Sequence, residues 1–327
     1  MDQERRANND IERIPLITSD AVKRVMNTDL AIETIEQAYQ DYGRERRVLS
    51  DPPALLLREE TAQAAFKVKG ARIKTFGVTG FRVIADRTVN DKEETIDYCW
   101  IAESETGRLI GLVDESWLHR LRTALTGVVA AKWLANPRSR VAAIIGAGKI
   151  ADELPVPLSK VFNLSEIRIA ARSKESAQAF ARRHQHVSNL KAFANVRDAV
   201  NGADIVICIT ASSEPVLLAE YLQPGMFICG LGGGPEISSD VLTRVDRFIV
   251  DELKYAAMIG SIRGWIKGGM SYGSIEARVD ADIGEIALAE QATNQGENEI
   301  TLAIIQGMAC CDLALAKLVL SRCNLMP

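Results

Sequence analysis

Histidine, aromatic residues and paired cysteines are all scarce in this chain of 327 residues. Its three histidines (His119, His184 and His186) share no metal-like spacing with the six cysteines, and no Cys-x-x-Cys pair occurs. That pattern speaks against a zinc or dithiol site, so no metal is expected. Cys99, Cys208, Cys229, Cys310, Cys311 and Cys323 sit mostly inside apolar runs and read as the reduced thiols of a cytoplasmic protein. The His-x-His of "ARRHQHVSN" reads as a solvated helix end. No apolar run reaches the ~18 residues needed to span a bilayer, and the opening "MDQERRANNDIERIPLI" lacks the apolar core of a signal peptide. A long basic block is missing too. The net charge is -4, and the arginine clusters at 43–47 and 181–183 read as solvated helix faces. Neither nucleic acid nor a membrane is therefore an expected partner.

What is present is a chain 47% hydrophobic and long enough for two cores. Apolar spacing predicts a helix over 19–42 with Asp29 as its cap. "PPALLL", "AAFKVKGARIK", "GFRVIA" and "TIDYCWIAES" read as short strands, and "ESETGRLIGLVD" as a hairpin turning at 105–107. A helix over 116–135 ends before Pro137. From residue 140 the pattern changes. "RVAAIIGAG", "EIRIAARS", "ADIVICITAS", "MFICGLGGG" and "RFIVDE" are continuous apolar strands separated by helical stretches, the mark of a parallel sheet covered on both faces. The apolar run 299–322 is expected to be one helix packing back on the first part.

Gly146-Ala147-Gly148-x-Ile150-Ala151 stands between a strand and a helix, where a dinucleotide turn belongs. Gly146 permits the tight turn, Gly148 lets the backbone approach a pyrophosphate, and Ala151 allows close helix–strand packing. Pro155 falls inside the expected helix and predicts a kink near 151–155. The second strand ends in Ala171, Arg172 and Ser173, with no carboxylate for the adenosine ribose. Arg172 beside a hydroxyl suits a 2′-phosphate, so NADP(H) is the preferred cofactor and NAD(H) a possible one. The plainer alternative is an arginine stacking on adenine.

Three stretches together resemble the ornithine cyclodeaminase/mu-crystallin family: "TGRLIGLVDESWLHRLRTALTGVVAAKWLA", the glycine turn that follows it, and "ADIGEIALAE…NEITLAIIQGMACCDLALAKLV", with "TASSEP" between. The resemblance implies an α/β fold, with a Rossmann NAD(P)-binding domain inserted in a discontinuous α+β substrate-binding and dimerisation domain. On this chain that means 123–303 within 1–122 plus 304–327, pairing into a homodimer through sheets. It also implies a small imino or amino acid substrate and hydride chemistry at its α-carbon. Arg122 corresponds to the family arginine that meets the substrate carboxylate, and Thr123 to a residue at the cofactor phosphates. Thr210, Ala211, Leu231 and Gly233 fall to the cofactor by the same correspondence.

Arg82 stands where the family commonly has lysine. It is therefore expected to anchor substrate rather than trade protons. Lys69 is a second candidate cation, with Lys67 one strand period away. A further family arginine is replaced near Ala54. Cyclodeaminases carry an aspartate where this chain has glycines 232–234, and Glu236 corresponds to a different, structural glutamate. The expectation is reduction of an imino acid by NAD(P)H. Ornithine cyclodeamination and non-catalytic dinucleotide binding are the alternatives.

Overall fold

The computed structural model describes residues 14–45, 48–57, 64–89, 92–187, 189–289, 296 and 298–324. Arg46 and Arg47 of the first arginine cluster, and most of the polar opening segment, lie outside them.

Two sheets organise the chain. The first holds β1 (Leu16–Ile17), β2 (Leu55–Leu57), β3 (Ala64–Ile73), β4 (Val78–Val89), β5 (Lys92–Glu103) and β6 (Leu109–Asp114), in the order β1-β6-β5-β4-β3-β2. Strands β2 to β6 form an antiparallel meander, with Lys69 opposite Arg82 and Arg82 opposite Cys99. Period-two alternation puts Lys69, Arg82 and Asp97 on the inward face, and Phe66, Phe81 and Ile96 on the other.

The second sheet is parallel throughout. It comprises β7 (Val141–Ile145), β8 (Glu166–Ala170), β9 (Leu190–Ala192), β10 (Ile205–Cys208), β11 (Phe227–Gly230), β12 (Arg247–Val250), β13 (Ala281–Asp282) and β14 (Thr301–Ile304), ordered β13-β12-β14-β11-β10-β7-β8-β9. Strand order reverses between β7 and β10, whose C-terminal ends open the crevice where this class of sheet takes its ligand.

Helices α1 (Ser19–Val25) and α2 (Thr28–Arg44) precede β2. α3 (Leu118–Leu134) follows β6 and touches both β11 of the second sheet and the last helix. Around the second sheet lie α4 (Pro155–Val161), α5 (Lys174–Arg183), α6 (Val196–Val200), α7 (Leu253–Ala256), α8 (Gly260–Lys267), α9 (Tyr272–Glu276) and α10 (Ile283–Leu288). Helix α11 (Ala309–Arg322) packs across β3 to β6 on their inward face. No helix among the described residues is long and apolar enough to cross a membrane.

Three expectations need correction. The segment 299–322 is not one helix, because 301–304 form β14 between β11 and β12 before α11 begins. A strand buried on both faces and a buried helix have the same apolar composition, which is why the run misled. Pro155 does not kink a helix. A 3-10 turn over 151–153 precedes it and Pro155 opens α4, where a missing N–H is harmless. The stretch 19–42 is two helices. Asn27 caps the second by accepting from the Asp29 and Leu30 amides, and Asp29 sits inside the first turn. His184 is buried, its Nε2 2.9 Å from Asp152 Oδ1 and its ring 4.5 Å from that of Phe180. Only that ring is packed; Arg182, Arg183, Gln185 and His186 around it are exposed, as expected of a solvated helix end.

Candidate active site

The loop after β7 is built as its glycines require. Gly146 has φ +119°, and a Cβ there would lie 2.2 Å from the Ile209 carbonyl oxygen. Gly148 faces open space instead, with nothing within 4 Å of a built Cβ. The turn lines a cleft of about 430 Å³ with Ala147, Ala171, Arg172, Thr210 and Ala211. Ala151 is fully buried behind it. These residues fit a dinucleotide: a permissive turn, an open approach over Gly148, and an exposed arginine at the cleft wall. Ser173 caps α5, its hydroxyl accepting from the Ser176 amide at 3.2 Å.

Residues Lys149 and Ile150 of the same turn line a second cleft of about 450 Å³, so the two adjoin. Its walls carry Lys67, Lys69, Arg82, Arg120 and Arg122, together with Thr123, His119, Tyr255, Leu231 and Gly233. The substrate-site cations and cofactor-side residues expected from the sequence therefore come together here. Gly233 lines the cleft, while its neighbours serve the backbone. Cβ atoms on Gly232 and Gly234 would lie 2.4 Å from the Thr210 oxygen and 2.2 Å from the Ser212 oxygen. Glu236 is structural. It accepts from the Thr210 amide at 2.6 Å and the Gly232 amide at 2.7 Å, and burial pushes its carboxyl up to about 7 against those bonds.

Three buried carboxylates face the three buried cations, and sequence reasoning missed all three. Arg82 is paired through Nε and Nη2 with Asp97, its Nε also lies 2.8 Å from Glu115, and its Nη1 lies 3.7 Å from Asp312. It is thus held from several sides, which the expectation of a simple anchor did not contain. Arg122 Nε lies 2.6 Å from Asp312 Oδ1, and Arg122 Nη1 has no hydrogen-bond partner among the described residues. Lys69 Nζ donates to the Gly307 carbonyl at 2.6 Å and stands 4.5 Å from the Tyr255 ring centre. Burial raises the Asp312 pKa, but Arg122, Arg82 and Lys69 outweigh it and hold the group below its ordinary value. Burial and then the Asp312 charge push Glu115 the other way, to about 8. The three buried cations thus hold Asp312 in its charged form, while burial and Asp312 draw Glu115 toward its protonated form.

His119 was also overlooked. Arg122 Nη2 lies 3.1 Å from its Nδ1. Guanidinium only donates, so Nδ1 accepts and the ring proton sits on Nε2. Burial and the surrounding Arg82, Arg122, Lys69 and Lys67 charges hold its pKa well below normal, so the ring is neutral. The signal available in the sequence was charge at core positions. Asp97 lies in the inward register of an apolar strand and Asp312 in an apolar helix.

The ornithine cyclodeaminase/mu-crystallin family model matches residues 15–325. The chain belongs to this family. It is 28% identical over 320 residues to an uncharacterized cyclodeaminase of Sinorhizobium fredii, covering 94% of this chain and 95% of that one. A Δ1-pyrroline-2-carboxylate reductase of Bacillus cereus is 25% identical over 311 residues, with 92% and 94% covered. Among solved structures, the Δ1-pyrroline-2-carboxylate reductase of Thermococcus litoralis, in complex with NADH and L-proline, superposes with a TM-score of 0.83 at 20% identity, covering 94% of this chain and 97% of that one. The Rossmann-type arrangement of the second sheet is shared with it.

Proposed function

We propose that this family member is an NAD(P)-dependent oxidoreductase acting on C–N bonds, which reduces a small imino acid to the amino acid. NADPH is preferred over NADH. The observation that carries this reading is the meeting of a glycine-turn cleft and a cation-walled cleft at residues 146–150. The bound cofactor supplies a hydride. In this reading Gly146, Gly148, Arg172, Thr210 and Ala211 hold its adenosine half, and Thr123, Ile150, Leu231 and Gly233 border the reacting end. Arg122, with Arg82 and Lys69, lines the cleft and draws in the substrate carboxylate, Arg122 Nη1 having no hydrogen-bond partner among the described residues. Glycines 232–234 offer no carboxylate for a leaving amine, which weighs against cyclodeamination.

We assign substrate binding to 1–122 with 304–327, and dinucleotide binding to 123–303. The first boundary falls within α3 and the second at the end of β14. A homodimer completes the proposal. The outward face of the first sheet leaves Phe66 43%, Phe81 47% and Ile96 36% exposed, an apolar surface suited to a second copy. Sedimentation velocity of the wild type against Phe81→Glu tests this, and a monomeric wild type would refute it. Six unpaired thiols accord with a cytoplasmic setting.

The test is loss of reduced-nicotinamide absorbance with a panel of cyclic and linear imino acids, with ammonia release from ornithine followed in parallel. Oxidation of NADPH by a pyrroline or piperideine carboxylate is the expected result. Ammonia release without net cofactor change would replace the reading with cyclodeamination. Dinucleotide binding without turnover, unaffected by Arg82→Ala, would leave a binding protein.

A further inference from the structure

The proposed substrate carries a positive nitrogen as well as a carboxylate, because an imine beside a carboxylate is reduced in its protonated form. The cleft meets these two ends unequally. Cationic side chains crowd its walls, whereas among the described residues Asp97 supplies the one carboxylate in its lining. Glu236 is taken up by the Thr210 and Gly232 amides. Glu115 and Asp312 lie in the layer beneath Arg82 and do not reach the cleft lining. Asp97 is set in β5 directly opposite Ile84 and beside Arg82, whose Nε donates to Oδ1 at 2.9 Å and whose Nη2 donates to Oδ2. Each carboxylate oxygen has a second lone pair beyond the one Arg82 engages.

Resting on the reductase reading, we infer that Asp97 is the group that receives the substrate nitrogen: a carboxylate on the β5 wall accepts the N–H of the cationic imine while Arg122 holds the substrate carboxylate. The Arg82–Asp97 pair then has divided duties, with arginine fixing the carboxylate's two oxygens and the carboxylate aiming its free lone pairs into the cleft. Hydride adds to the imine carbon, the C=N π pair passes to nitrogen, and the resulting neutral amine takes a proton from water. The cofactor loses two electrons and the imine gains them. Positive charge on nitrogen falls as the hydride arrives, so Asp97 stabilises the bound cation more than the transition state. Its loss therefore raises KM more than it lowers kcat.

The experiment is calorimetric titration of the protein saturated with oxidised cofactor, using proline and its carbocyclic analogue cyclopentanecarboxylate. The wild type is expected to bind proline about 10- to 100-fold more tightly, the range of a charge-assisted hydrogen bond. Asp97→Asn is expected to erase that preference by weakening proline alone, with cofactor affinity unchanged, and Asp97→Glu to restore part of it. Equal weakening of both ligands would mean that Asp97 acts only through Arg82, and would overturn the inference. So would a wild type without preference for the amine, a result that needs no variant to fold. Failure of the reductase reading looks different: imino acids are then not reduced by the wild type at all, whatever the two ligands do.

Discussion

Gly307 lies against the guanidinium of Arg122 so closely that a Cβ on it would sit 1.9 Å from Nη1. Its φ is +85°, its carbonyl accepts from Lys69, and its amide donates to Asp251 Oδ2 at 2.6 Å. One glycine after β14 thus sets the position of two of the three buried cations. Gly307→Ala is expected to lower stability by about 1–3 kcal/mol through backbone strain and overpacking. It should also raise the substrate KM while leaving cofactor affinity unchanged. Urea unfolding with steady-state kinetics checks this, and an unchanged KM would refute it.

The two glycines of the dinucleotide turn should separate fold from function. Gly146→Ala meets both a positive φ and the Ile209 oxygen, so a stability loss of about 1–3 kcal/mol is expected. Gly148→Ala meets nothing within 4 Å and should leave the melting temperature unchanged. In the proposed reading a methyl there meets the cofactor phosphates, and a displacement of ~1 Å is expected to weaken the ligand or its reaction by about 10-fold or more. Thermal unfolding and fluorescence titration with NADPH distinguish the two outcomes.

In the proposed reading cofactor choice rests on Arg172, exposed just past the end of β8. Arg172→Ala is expected to weaken NADPH by about 10- to 100-fold, the value of a charge-assisted contact, and NADH by about 2-fold at most. Equal losses for both would favour stacking on adenine as its role.

The Glu115 carboxyl carries a pH signature. Its pKa in the fold, about 8, lies above that of the unfolded chain, so the folded state binds the extra proton between ~4.5 and 8. The stabilisation is complete below ~pH 4.5 and is lost as pH rises through about 8. Glu236, raised to about 7, acts in the same direction over a narrower range. The wild type should therefore lose on the order of 2–4 kcal/mol relative to Glu115→Gln between pH 5 and pH 9. Denaturant midpoints measured across that range test it, and parallel curves would refute it.

Much of the molecule was legible from residue order alone. Short apolar runs such as "FKVKGARIK" and "TIDYCWIAES", separated by turn residues, marked the strands of the first sheet, and continuous apolar strands marked the parallel sheet. Gly146, Gly148 and Ala151 fixed the turn, because few residue types satisfy its backbone. Boundaries failed where one composition serves two structures, as in 299–322, where β14 and α11 share the same apolar character. Pro155 misled because a proline is harmless at the first position of a helix and disruptive three residues later, and the sequence does not say where the helix starts.

What the sequence determined by itself is the family, the parallel sheet with its dinucleotide turn, and the cations Lys69, Arg82 and Arg122. What only the tertiary structure decided is their charge balance. Asp97, Glu115 and Asp312 lie on β5, just after β6, and on α11. Pairing of the strands brings Asp97 and Glu115 to Arg82, and Asp312 reaches Arg122, Arg82 and Lys69 only when α11 packs over the first sheet. Coulomb interaction depends on distance through space and on the exclusion of water, neither of which is written in residue order.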